Sequence, residues 1–361
     1  MTDADATLPT SGWISLNVPS NELRIDPTLE AGQSFQWRKT GGMNEWSSVL
    51  CGRLVTLKQT ENDILFRVYA PGVEAAVAEN LRDYFQLHQS LESLYKAWGE
   101  CDLNFKKKAA FFQGIRVLRQ DPVETVFSFI CTSNNNISRI TGMIDRLCER
   151  FGTFVGRLPN HTPGTSSVQT LRCFYTFPSL SALATDGMDA ELRAMGFGYR
   201  GKFVEKAAKK ALEKGGDAWL KSLRNVSYKE AKVALLELNG VGPKVADCVC
   251  LMCLDKAGAI PVDTHVWQIA KRDYKLGGIT TKTLTAGAYD MVGDKFREIF
   301  GSHAGWAHSV LFTADLRQFS DRDTKVSNKK RRTVIEEEIE EITTVAREKE
   351  NPGTFLSVLS F

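Results

Sequence analysis

The sequence predicts an α+β fold, with a β-rich N-terminal part of antiparallel sheet followed by a larger, mostly helical part. Three observations carry this. Residues 12–70 favour strands, apolar residues adopt the helical period from about residue 80 to about 316, and no internal repeat is visible. Strand-rich and helix-rich runs that do not alternate point to α+β rather than α/β. The expected organisation is a flexible N-terminus at 1–11, a β-rich domain at 12–103, a helical region at 104–320 and a charged tail at 321–361.

The elements follow in order. Leu54-Val-Thr-Leu-Lys58 alternates, QTEND supplies turn residues, and Ile64-Leu-Phe-Arg-Val-Tyr-Ala70 resumes, which reads as a β-hairpin. In DYFQLHQSLESLYKAWGE, the residues Tyr84, Leu87, Leu91, Leu94 and Tyr95 recur at three- and four-residue steps, as on one face of a helix. Turn formers at 159–170 and 275–283 interrupt the helical part.

Composition sets the outer limits. The chain has 361 residues, of which 43% are hydrophobic and 25% charged, so a wholly disordered chain, a collagen and a small disulfide scaffold are excluded. No apolar run reaches the roughly 18 residues of a membrane span. The opening MTDADATLPTSGW has neither the apolar stretch of a secretory signal nor the Arg-rich make-up of a transit peptide. The eight cysteines are scattered, five of them in apolar stretches, which suits buried thiols in a reducing compartment. Cys248, Cys250 and Cys253 share one predicted helix with no fourth cysteine after them, so neither a zinc site nor an iron–sulfur cluster is expected.

Charge is unevenly spread. Residues 1–103 carry a net −6, residues 104–320 a net +10, and residues 321–361 a net −1. A basic middle segment suits a polyanion, because clustered Lys and Arg release counterions from phosphates. The alternative is a solvated surface. In the tail, Lys329-Lys-Arg-Arg332 precedes a highly charged, helix-prone run. That cluster reads either as a nuclear import signal or as a solvated charge run.

The chemistry concentrates in residues 228–274. An amphipathic helix with Ala231, Ala234, Leu235 and Leu238 on one side leads into Asn239-Gly-Val-Gly242, a tight hairpin in which both glycines can take positive φ. Pro243 then suits the first position of a second helix. This is a helix-hairpin-helix unit, spanning 228–254. The amides of Gly240, Gly242, Lys244 and Val245 point outward without partners, so phosphate oxygens can satisfy them. Such contacts read backbone and not base sequence.

Lys244 follows Pro243, with Cys248 one turn on along the same face. The helix dipole and partial burial both disfavour its ammonium form, which makes it a candidate amine nucleophile able to form a Schiff base. Simple phosphate pairing is the alternative. In Pro261-Val-Asp263-Thr-His265-Val-Trp267, Asp263 suits a helix N-cap with Val262 and Trp267 as the hydrophobic staple. The same carboxylate, held near Lys244, can stabilise an oxocarbenium ion at a sugar C1′ and help deprotonate the amine.

These residues are similar to the signature of the helix-hairpin-helix Gly/Pro-Asp base-excision glycosylases. LEAGQSFQWR at 29–38, FFQGIRVLRQDPVETVFSFICTSNNNISRITGMIDRLCERFG at 111–152, LRAMGFGYRGKFV at 192–204 and GWAHSVLFTADLRQ at 305–318 narrow the resemblance to the eukaryotic 8-oxoguanine DNA glycosylase/AP lyase family. It extends from about residue 12 to 318 and leaves out the tail.

The resemblance implies a bifunctional enzyme that excises 8-oxoguanine opposite cytosine from duplex DNA, followed by β-elimination 3′ to the abasic site. Lys244 stands at the Schiff-base nucleophile and Asp263 at the essential carboxylate. Gly32 matches the glycine whose carbonyl accepts the N7–H of the oxidised base. Normal guanine has a bare acceptor there, an inversion worth about 1–3 kcal/mol. Cys248 and Phe312 match the residues that sandwich the extruded base. Asn134 fills the gap, Arg139 and Arg200 read the estranged cytosine, Tyr199 wedges beside it, and His265 contacts a phosphate. His308 stands where the family has glutamine. A neutral imidazole offers one donor and one acceptor, with a reach unlike an amide's. No metal or organic cofactor is implied, and a monomer located in the nucleus, with the mitochondrion as a second compartment, is expected. A monofunctional glycosylase would activate water with Asp263 alone, and a silent DNA-binding module would lack Lys244 or Asp263.

Overall fold

The computed structural model describes residues 10–42, 44–160, 170–276 and 284–319. Most of the loop expected at 159–170, most of that at 275–283, and the basic cluster and charged tail lie outside these residues.

A five-stranded antiparallel sheet opens the chain. Its strands are β1 (Ile14–Ser15), β2 (Arg38–Lys39), β3 (Glu45–Leu50), β4 (Arg53–Gln59) and β5 (Ile64–Val68), in the order β1-β5-β4-β3-β2. The hairpin read from alternation is β4–β5, with Leu57 opposite Phe66 and Val55 opposite Val68. Leu57, Phe66, Trp37, Trp46 and Phe85 share the core on one side of the sheet.

The strand-rich reading of 12–70 needs a correction, because α1 (Ile25–Glu30) lies between β1 and β2. Its IDPTLE sequence is too short to show a helical period. The single helix expected near residue 84 is also two. α2 (Glu74–Tyr84) stops where Gln86 takes φ 51°, and α3 (Leu91–Cys101) starts afresh with Ser90 as its N-cap.

The helical region continues with α4 (Leu103–Ala109), α5 (Pro122–Ile130) and α6 (Ile137–Phe151). A two-stranded antiparallel ribbon, β6 (Phe154–Pro159) and β7 (Leu171–Tyr175), interrupts it, which the helical reading of this stretch did not anticipate. Then come α7 (Leu180–Leu183), α8 (Met188–Ala194), α9 (Arg200–Glu213), α10 (Gly216–Ser222), α11 (Tyr228–Leu236), α12 (Pro243–Cys253), α13 (Thr264–Asp273), α14 (Ala286–Phe300) and α15 (Ala304–Asp315). α12 packs between α5 and α11, and α15 packs on α13 and α14. Beyond Asp315, among the described residues, Arg317–Phe319 form one 3₁₀ turn.

Five cysteines are buried (Cys131, Cys148, Cys248, Cys250 and Cys253), and all eight are free thiols. Among the described residues no helix is long and apolar enough to cross a membrane, and no group of three or more His, Cys, Asp or Glu is placed to hold a metal ion.

Candidate active site

α11 and α12 form the helix-hairpin-helix. Ser227 and Glu230 close a capping box at the start of α11. Gly240 takes φ 81°, and a Cβ there would fall 2.7 Å from Phe203, so both the turn and the close approach require glycine. Gly242 differs from expectation. It is the extended N-cap of α12, with φ −94° and ψ −179°, and only Gly240 uses the left-handed region. Pro243 occupies the first helical position as expected. The amides of Gly240, Gly242, Lys244 and Val245 have no backbone acceptor, while Ala246 N–H already bonds the Gly242 carbonyl at 2.9 Å. Gly242 is exposed, Gly240 and Lys244 are half-buried and Val245 is buried, with all four at the positive end of α12.

Lys244, at the second position of α12, is half-buried, and Cys248 lies one turn further along the same face. Asp263 is the N-cap of α13, and its Oδ1 accepts the Val266 N–H at 2.9 Å. Val262 and Trp267 flank it, both buried, as the staple requires. Lys244, Asp263 and Cys248 line one pocket with Gly32, His308 and Phe312. Six residues singled out from four separate stretches of sequence therefore meet in one place.

Gly32 reaches this pocket from the loop after α1. It takes φ 80°, and a Cβ would meet Ile137 Cδ1 at 3.1 Å. The neighbouring Gln33 fixes the loop. Its amide nitrogen donates to the Arg116 carbonyl at 2.8 Å, and its amide oxygen accepts Leu118 N–H at 3.1 Å. Gln120 in turn donates to the Gln33 carbonyl at 2.9 Å, while its own N–H bonds the Met252 carbonyl at the end of α12. Gly32 is thus tied to the helix that carries Lys244. Sequence reading missed Gln33, whose partners are remote in sequence. It also missed Phe129, whose ring centre lies 5.2 Å from Lys244 Nζ. Its apolar setting in α5 gave no separate signal.

The electrostatics follow from burial. Desolvation pushes the Cys248 thiol up to about 11, against the opposing pull of Lys244, so it stays neutral. Burial pulls His308 down to about 4, against the opposing pull of Asp263, so its ring is neutral near pH 7. The Gly305 carbonyl one turn back favours a ring proton, yet neither ring nitrogen completes a hydrogen bond. His308 is only 5% exposed and its ring leans on Phe312, with centroids 6.2 Å apart. A buried, unpartnered imidazole costs stability unless something supplies its partner. The pocket volume is about 50 Å³, room for only a few waters.

A second group gathers around the Ser133 carbonyl. Asn134 is exposed with φ 47°. Tyr199 is 47% exposed, stacks edge-on with Phe203 at 5.7 Å, and donates its hydroxyl to Ser133 O at 3.3 Å. Arg200, one of the two arginines expected at the estranged cytosine, is held by the protein's own backbone in this structure. It is 3% exposed, and its guanidinium donates to the carbonyls of Ser133, Asn134 and Phe197. Arg139 is exposed at the third position of α6, its backbone N–H capped by Asn136 Oδ1 at 2.9 Å. His265 is exposed at the start of α13, edge-on to Phe312 at 6.1 Å.

The chain is similar to known proteins along most of its length. Residues 15–126 match the family model of the 8-oxoguanine DNA glycosylase N-terminal domain, and residues 127–289 match that of the HhH-GPD superfamily base excision DNA repair proteins. The chain is 39% identical to N-glycosylase/DNA lyase OGG1 of Arabidopsis thaliana over 85% of its own length and 81% of that relative. It is 35% identical to the N-glycosylase/DNA lyase of Saccharomyces cerevisiae, covering 91% and 93% of the two chains. Among solved structures it resembles MBOgg1 in complex with a low-affinity DNA ligand, with TM-score 0.69, 26% identity, and 84% and 98% of the two chains covered. The apo form of the Clostridium acetobutylicum 8-oxoguanine glycosylase/lyase matches with TM-score 0.68 and 25% identity over 82% and 94%.

Proposed function

The chain belongs to the 8-oxoguanine DNA glycosylase family of N-glycosylase/DNA lyases, and from that premise we propose how its own residues carry out the bifunctional repair of 8-oxoguanine in DNA. The supporting observation is the pocket shared by Gly32, Lys244, Cys248, Asp263, His308 and Phe312.

Chemistry at C1′ is impossible inside a base stack, so the damaged nucleotide is extruded. The small free pocket has to open for it, with Phe312 and Cys248 parting to take the base between them. The Gly32 carbonyl accepts the N7–H found on the oxidised base and absent from guanine. His308 supplies its unpartnered ring nitrogen to the far edge of the base. The Lys244 nitrogen bonds to C1′ as the C1′–N9 bond breaks, the base departs with the bonding electrons, and Asp263 stabilises the positive charge on the sugar. Loss of the protons on nitrogen and opening of the sugar leave an imine between Lys244 and C1′. Removal of a 2′ proton then expels the 3′ phosphate and nicks the strand.

The preferred duplex carries 8-oxoguanine opposite cytosine. Asn134 fills the vacated stack, Tyr199 wedges beside it, and Arg139 and Arg200 contact the cytosine. Arg200 has to release the Ser133 and Asn134 carbonyls to do so, which couples cytosine reading to movement of the Asn134 loop. The backbone-unpaired amides of Gly240, Gly242 and Val245, with His265, hold the phosphates. The protein works as a monomer in the nucleus, with the mitochondrion as a second compartment.

Borohydride trapping on duplexes carrying 8-oxoguanine opposite each normal base tests this reading. A covalent adduct forms, fastest opposite cytosine. Full trapping by Lys244→Gln, or binding without cutting, would refute it.

A further inference from the structure

The helix that carries Lys244 and the segment that carries Asp263 are joined from behind by a buried carboxylate. Asp247 lies three residues after Lys244 in α12 and is 0% exposed. Its Oδ1 accepts the Tyr228 hydroxyl at 2.6 Å. Its Oδ2 accepts the Tyr289 hydroxyl at 2.5 Å and the Lys232 ammonium at 2.8 Å. Lys232 also donates to the Tyr228 hydroxyl at 3.3 Å. Tyr289, on α14, reaches onward. Its oxygen accepts the Val262 N–H at 3.4 Å and lies 3.3 Å from the Ile260 carbonyl. Val262 immediately precedes Asp263. Two tyrosines, a lysine and an aspartate therefore connect α11, α12, α14 and the chain entering α13.

None of the four lines the pocket, although Lys244 and Cys248, on either side of Asp247 in α12, both do. Burial first, and then the charge of Asp247, push both tyrosine hydroxyls up, so both stay protonated as donors. A buried ion pair is weak evidence for stability, because desolvation offsets the attraction and apolar side chains fill such space as well. What it offers over an apolar plug is direction, since each hydrogen bond holds its partners within a narrow range of distance and angle.

We infer that Asp247 and Tyr289 are positioning residues for the reaction at Lys244. Together they fix α12 against the 260–263 segment and so set the gap between amine and carboxylate in which C1′ must sit. This rests on the roles proposed above for Lys244 and Asp263. Neither Asp247 nor Tyr289 touches the nucleotide, so they act on the rate of bond making and not on duplex affinity.

Tyr289→Phe removes one hydroxyl and keeps the ring. Under single-turnover conditions on an 8-oxoguanine:cytosine duplex, its release of base slows about tenfold or more, as misplacement of reacting groups predicts. Borohydride trapping slows by the same factor, while the duplex Kd stays within about twofold. A purely structural role predicts the opposite pattern, a lower unfolding midpoint with an unchanged rate per folded molecule, and that result overturns the proposal. Asp247→Asn keeps the shape and removes the charge, and the same split between rate and affinity is expected. The double variant falls no further than the slower single one, because both changes cut one link, and losses that multiply would count against it. Should Asp247→Asn fail to fold, Tyr289→Phe decides alone. A wild type that releases no 8-oxoguanine overturns the reading of the active site. A wild type that excises beside an equally fast Tyr289→Phe overturns this proposal only.

Discussion

Lys244 and Asp263 face one pocket without forming an ion pair, and the lysine nitrogen lies instead 5.2 Å from the centre of the Phe129 ring. A direct pair would fill the space a sugar needs. Asp263 also caps α13, and its two roles separate by substitution. Asparagine caps nearly as well as aspartate, whereas alanine loses about 1 kcal/mol. Asp263→Asn should therefore melt like the wild type and excise about 10²-fold more slowly, while Asp263→Ala loses both. Equal excision rates for Asp263→Asn and the wild type would leave the carboxylate as a cap alone.

Gly32→Ala tests the loop across the pocket. Its φ of 80° disfavours any side chain, and Ile137 Cδ1 at 3.1 Å must give way. A residue in this conformation costs about 1–2 kcal/mol, visible as a lower midpoint in thermal unfolding. The displaced carbonyl also loses its aim. The ratio of 8-oxoguanine to guanine excision falls along with the absolute rate. An unchanged ratio would remove Gly32 from base discrimination.

What the sequence disclosed and what it hid have separate physical causes. The β4–β5 hairpin and the helix-hairpin-helix were legible because alternation, Gly240 and Pro243 mark them locally. The break between α2 and α3 was not, since Tyr84, Leu87 and Leu91 keep helical spacing across it and the positive φ falls on Gln86 rather than a glycine. Six of the pocket-lining residues could be named from motifs, while Gln33 and Phe129, which line it too, could not. Nor could their supports. Gln33 bonds to Arg116 and Leu118, and Asp247 bonds to Tyr228, Lys232 and Tyr289, so both matter through partners that only the fold brings close. The burial of Arg200 was hidden for the same reason, because its acceptors are backbone carbonyls, which any sequence possesses.

Arg200 gives a prediction about selectivity. Its guanidinium holds the Ser133 and Asn134 carbonyls, with Asn134 itself at φ 47°. Arg200→Ala removes the donor shared by three carbonyls, of which Ser133 O keeps the Tyr199 hydroxyl and only that of Phe197 belongs to a buried residue, at a cost of about 1 kcal/mol. The loop that presents Asn134 also loosens. Excision opposite cytosine falls toward the rates opposite the other bases, as measured with four duplexes differing only in the opposing base. A variant that keeps full cytosine preference would assign Arg200 to the loop alone.

His308 makes the protein's stability sensitive to acid in a predictable direction. Burial holds its folded pKa near 4, below the value of about 6.5 expected for an unfolded histidine. The unfolded chain therefore binds a proton that the folded ring refuses. The contribution is fully present above the unfolded pKa and is lost as pH falls through the window down to the folded one. Between about pH 7 and about pH 5 this single group removes about 2 kcal/mol of folding free energy. Asp263 and Lys244 are the charged groups facing the ring, and they oppose each other in their effect on it. His308→Gln deletes the titration and supplies an uncharged donor and acceptor in the same pocket. Denaturant unfolding of both proteins at the two pH values isolates the term, because every other titrating group is common to both. The wild type should lose more stability on acidification than the variant by that amount. Equal losses would mean that the ring accepts its proton as readily in the folded pocket as in water.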